Sequence, residues 1–146
     1  MIKIIFSVRS GQGEPSGFDL GDIICEGENG TARSSGHTPD QGMMIYLSVT
    51  LLLDSLRLLF SGEERRASFT GADTSFRLDF RRDKRGIIWV STRDELLGKS
   101  SLDELAHAVL RPALELADGY TSDPSVRDSV RSDYISAVQD FGATIL

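Results

Sequence analysis

Apolar and polar residues alternate from the first residues of the chain. Ile2, Ile4, Phe6 and Val8 fall on one side and Lys3, Ser7 and Arg9 on the other, the period of a half-buried strand. A second strand is predicted over 18–26, where Ile23, Ile24 and Cys25 sit among Asp22 and Glu26. Gly11, Gly13, Pro15 and Gly17 lie between the two and make them a hairpin. From 27 to 42 the chain is rich in Gly, Ser, Thr, Asn and Asp with almost no apolar side chain, so the pattern predicts a long, mobile loop.

The most apolar stretch, 43–60, reads as a helix. Thr50, Asp54, Arg57 and Ser61 recur at spacings of four, three and four, a narrow polar stripe on which Asp54 can pair with Arg57. That stripe argues against a membrane span of about 20 apolar residues. The rest of the helix is apolar nearly all round and must be covered on more than one side, by the domain itself or by a second subunit in a homodimer. Its first part, 43–49, reads equally as a strand, because periodicity does not separate the two in so short an apolar run.

A meander follows. Strands are predicted over 67–70, 76–81 and 87–90, with Phe76, Leu78 and Phe80 alternating against Arg77, Asp79 and Arg81. Ser101 with Glu104 matches a capping box, and Leu102, Leu105, Val109, Ala113 and Leu116 share one helical face up to Asp118 and Gly119, with a kink expected at Pro112. Asp123 and Pro124 open a last helix along Val126, Val130, Tyr134, Val138 and Phe141, with Gly142 as its stop. The expected architecture is α+β: an antiparallel sheet of about five strands with about three helices packed mainly on one face.

Composition narrows the function classes. The chain has 146 residues, 40% hydrophobic and 26% charged, which suits one domain over 1–146 with its own core. A lone cysteine, Cys25, allows no internal disulfide, and with no signal-like N-terminus the expected setting is cytoplasmic. The net charge of -6 argues against nucleic acid as a partner, since phosphate binding needs clustered Lys and Arg.

The chemical inventory is thin. Gly11, Gly13 and Gly17 lack the Gly-Lys-Ser/Thr ending of a phosphate loop and are read as turn residues. Only His37 and His107 could serve Cys25 or a serine as a base; His37 lies in the predicted loop, and His107 sits four residues after Asp103 on an exposed helix face. One cysteine and two histidines do not make a zinc site. Asp22, Glu26 and Glu28 share strand parity, which suits a hard cation or simply a solvent-facing acidic strand. No catalytic residue, metal ligand or cofactor is assigned. The candidate binding residues are Arg81, Arg82, Lys84 and Arg85 at the hairpin tip, where the net negative charge is locally reversed, with Trp89 beside them as docking platform or core residue.

Residues 43–118, with MIYLSVTLLLDSLRLLF, TSFRLDFRRDKRGIIWVS and SLDELAHAVL, resemble in layout and acidity the small bacterial immunity proteins of polymorphic toxin systems. The resemblance implies a non-catalytic cytoplasmic inhibitor that masks a toxin's active site, often with acidic surface. The leading expectation is a non-enzymatic protein-binding domain using acidic surface and the 27–42 loop. The alternatives are a small hydrolase or transferase with its site at that loop, and an oligomeric structural protein.

Overall fold

In the computed structural model, which describes residues 1–13, 16–93, 95–121 and 129–145, the N-terminal alternation becomes β1 (Lys3–Val8). β1 pairs antiparallel with β2 (Leu20–Glu26), Ile4 opposite Cys25 and Phe6 opposite Ile23. On its other side β2 takes two short strands, β3 (Thr31–Arg33) and β4 (Met43–Met44), which completes a four-stranded sheet. The ambiguity over 43–49 resolves as a strand of two residues followed directly by a helix.

The 27–42 segment is therefore not one long loop. A strand of three residues is too short to show a period, but its Ala32 is buried and lies opposite Cys25. The rest of the segment is tied back by Arg9. Its guanidinium donates to both oxygens of Asp22, at 3.0 Å each, and to both of Asp40, at 2.6 and 2.8 Å. Asp22 also accepts from the buried Ser34 hydroxyl at 2.7 Å, and Ser34 Oγ in turn accepts the Ile23 amide. A forked, charge-assisted arrangement of this kind fixes orientation as well as distance.

Helix α1 (Ile45–Ser61) carries the apolar run. The Asp19 carbonyl accepts its first amide, Ile45 N–H, at 3.0 Å, and Gly62 at φ 85 closes its C-terminus by donating to the Leu59 carbonyl. Two of its polar residues are satisfied, Thr50 within the helix by donating to the Tyr46 carbonyl at 2.8 Å and Ser48 across the fold by accepting the Ala72 amide at 2.9 Å. Asp54 and Arg57 form no hydrogen bond or close ion pair; the Arg57 charge only partly offsets the burial that raises the Asp54 carboxyl above its usual range.

A second sheet follows as a meander of β5 (Arg66–Thr70), β6 (Arg77–Arg82), β7 (Ile88–Thr92) and β8 (Glu95–Ser100), each antiparallel to the last. β8 has no counterpart in the residue pattern, because a bulge between Val90 and Ser91 shifts the register and leaves Leu96 exposed beside buried Leu97. The sheets meet where the Asn29 amide donates to the Leu97 carbonyl at 2.8 Å. Gly27 makes that approach possible: a Cβ there would lie 2.1 Å from the Leu97 oxygen.

Helices α2 (Leu102–Thr121) and α3 (Ser129–Ile145) complete an α+β fold with three helices and two antiparallel sheets among the described residues. Ser101 Oγ accepts the Glu104 amide at 3.1 Å, as the capping pattern predicts. α2 runs on past Asp118, with Pro112 inside it, and α3 continues through Gly142. Asp123, Pro124 and Val126 lie outside the described residues.

α1 is covered within the chain. α3 packs along it, with Tyr46 edge-on to Tyr134 at 5.7 Å and Phe60 against Phe141 at 5.4 Å, while β1, β2 and β5 cover other sides. The apolar surface that suggested a homodimer is thus buried by the protein's own elements, with Leu51 and Leu58 left partly exposed. No helix among the described residues is long and apolar enough to cross a membrane.

Two outcomes follow. Gly27→Ala pushes β8 from the first sheet and lowers unfolding free energy by about 1–3 kcal/mol, read by urea denaturation. Arg9 holds the Asp22 and Asp40 carboxyls below the usual carboxylate range. Their contribution is present above the unfolded carboxyl pKa of about 4 and is lost as pH falls through the lower folded values. Thermal melts below about pH 4 should therefore fall more steeply for the native protein than for Arg9→Met.

Candidate interaction surface

The inner face of β5–β8 buries Phe69, Leu78, Phe80, Ile88 and Val90. The alternate residues face outward, and none of the helices covers them: Arg66, Ser68, Arg77, Arg81 and Lys99 are exposed. Register sets one row across all four strands. Arg66 lies opposite Arg81, Arg81 opposite Trp89, and Trp89 opposite Lys99. Within that row the Arg81 guanidinium sits 5.8 Å and the Lys99 ammonium 5.4 Å from the centre of the half-buried indole. A cation over an aromatic face at this distance is worth about 0.5–1 kcal/mol at an exposed site.

Asp83 orients the indole. Its carboxylate accepts the Trp89 ring N–H at 2.9 Å and the turn amides of Arg85 and Ile87 at 2.8 and 3.0 Å. These bonds, the Trp89 donor first, hold the Asp83 carboxyl below its usual range. In the neighbouring row Asp79 accepts from Ser68 at 2.8 Å and from Arg77 at 2.9 Å. The ring and the guanidiniums are thus held on a rigid sheet instead of on a loop.

The structure brings Arg81 and Trp89 together, and Trp89 is an outward-facing residue, not part of the core. It separates the other candidates from them. Arg82 lies opposite buried Ile88 on the alternate parity, while Lys84 and Arg85 are exposed in the turn beyond the row. Arg66 and Lys99, which complete the row, lie outside every strand predicted from the sequence; their neighbours depend on register with β6 and on β8, neither of which local pattern shows.

Charge is segregated. Residues 65–99 hold nine Lys and Arg against five Asp and Glu in a chain of net charge -6. The three helices hold seven Asp and Glu against three Arg.

The groups considered for chemistry lie apart. Cys25 is fully buried, and burial, with a smaller contribution from Glu26, pushes its thiol up to about 12. His37 is exposed, its Nε2 2.6 Å from the Arg33 carbonyl. His107 Nδ1 is 2.9 Å from the Asp103 carbonyl, and both side chains are solvated. Asp22 is committed to Arg9, and Glu28 pairs with the terminal amine at 3.0 Å. Among the described residues no three His, Cys, Asp or Glu side chains converge as metal ligands.

The fold and this face together define an α+β domain that presents an open, basic sheet surface. No family model, curated protein or solved structure matches the chain. The burial of Cys25 sets one direct expectation: the native protein resists thiol labelling at pH 8 and reacts fully only once urea unfolds it. Rapid labelling of the folded chain would show the thiol to be reachable.

Proposed function

We propose that this chain is a non-enzymatic protein-binding domain that docks an acidic surface of a partner on the outward face of β5–β8. The observation that carries the reading is Trp89, set by Asp83 and flanked by Arg81 and Lys99 on a sheet face that no described element covers. Trp and Arg are the residues in which interface energy concentrates, and a rigid sheet presents them at low entropic cost. The buried, high-pKa thiol and the dispersed histidines support binding over nucleophilic catalysis.

An immunity-type inhibitor in the cytoplasm is the form of this function that the resemblance over 43–118 favours. The contact then differs from the one that the resemblance implies: a basic sheet face, not acidic surface, meets the toxin. Self-association is no part of the proposal, since α1 is covered within the chain.

The test is calorimetric titration of the partner captured by crosslinking in the native cell. Trp89→Ala and Arg81→Ala should each weaken the complex by about 2 kcal/mol or more, roughly 30-fold, with the far-ultraviolet spectrum unchanged. Lys84→Ala and Arg85→Ala, outside the row, should change affinity little. Unchanged affinity in both Trp89 and Arg81 variants would remove this face from the interface.

A further inference from the structure

β1 is the terminal strand of the first sheet, with β2 as its one neighbour. The Arg9 amide donates to the Leu20 carbonyl at 3.0 Å, which makes those two a hydrogen-bonded pair. Antiparallel alternation then assigns the bonded pairs Ser7–Asp22, Ile5–Ile24 and Lys3–Glu26. The same alternation appears across β2, where the Ser34 amide donates to the Ile23 carbonyl at 3.1 Å. The amides and carbonyls of Ile4 and Phe6 therefore lie on the edge turned away from β2, and no described residue bonds them.

This edge is not sealed by the neighbouring helix. A cleft of about 960 Å³ lies between β1 and one face of α2, with Ile4 and Phe6 on one wall and Ala108 and Pro112 on the other. Pro112 has no N–H to give the Ala108 carbonyl, so the helix wall also carries an acceptor without its usual helical donor. Open strand edges are commonly blunted by charges, prolines or bulges; β1 has a single charge, Lys3 at its start, and no proline or bulge.

The charge of the cleft selects its occupant. The terminal amine is paired with Glu28, Arg111 with Glu115, and Asp103 lies 3.7 Å from His107 Nδ1, which leaves Glu26, Glu104 and, while His107 is neutral, Asp103 against Lys3. We propose that this cleft is a second docking site, for an extended segment of a protein partner bearing Lys or Arg, which adds to the first sheet as a strand along β1. Backbone bonds to Ile4 and Phe6 supply the pairing, and the α2 carboxylates select the cationic side chains. A second copy of this chain fits less well, because it brings a net charge of -6 to an edge already flanked by carboxylates.

The experiment uses the full chain with two short capped peptides, one alternating Lys and Val and the other Glu and Val. Amide hydrogen exchange is read residue by residue. The Lys peptide should slow exchange at Ile4 and Phe6 by about tenfold while leaving the β5–β8 amides unchanged, and the Glu peptide should leave Ile4 and Phe6 unprotected. Neutralising the rim with Asp103→Asn and Glu104→Gln should weaken the Lys peptide by about fivefold at low salt and less at high salt. The proposal is overturned if neither peptide protects Ile4 and Phe6, or if both protect them equally. It is also overturned if those amides are already protected in a dimer seen by sedimentation. None of these results bears on the Trp89 face, whose variants are read separately.

Discussion

The constraint on which the structure turns is the burial of α1. Nine of its residues are buried, from Ile45 to Leu59, and they spread over more than half of its circumference, leaving a side with Leu51, Asp54 and Leu58 toward solvent. Each fully buried Leu, Ile or Val contributes about 1.5–3 kcal/mol, so no single sheet face is enough. The chain answers by wrapping: β1 and β2, β5, and α3 each cover a different side, and two sheets are drawn together around one helix. With every apolar side so used, the outward face of β5–β8 is left open to solvent.

That partition explains why charge is segregated. Helices whose inner faces serve α1 and the sheets carry their carboxylates outward, and the meander carries arginines outward on alternate residues. Strand period and register then place Arg66, Arg81, Trp89 and Lys99 in one row, with Asp83 fixing the ring from the adjoining turn. At the far edge of the other sheet, the register that buries Ile4 and Phe6 turns their backbone groups toward α2.

What was legible in the sequence followed local period. β1, β6 and α2 with its Ser101 cap follow from alternation or helical spacing, and so does the need to cover α1 on several sides. What was not legible depends on long-range contacts. β3 is too short to show a period, and the order of 27–42 comes from Arg9 reaching Asp40 across 31 positions. β8 hides behind a bulge, and with β3 and β4 it turns the expected sheet of about five strands into two of four, β1 and β2 pairing apart from the meander. The candidate surface divides the same way: Arg81 and Trp89 were identifiable from composition at a hairpin, whereas Lys99 joins them only through β8, and the parity that removes Arg82 appears only with the register.

The central claim is that the field around Trp89 is positive although the molecule is negative, and the chain's single tryptophan reports on it directly. Collisional quenching of its fluorescence by iodide and by caesium at equal ionic strength, each taken relative to its quenching of free tryptophan amide, compares an anion with a cation at the same spot. With Arg81, Lys99 and Arg66 in the row, iodide should quench more strongly than caesium, and Arg81→Glu should reverse the order. Stronger quenching of the native protein by caesium would contradict a basic docking face.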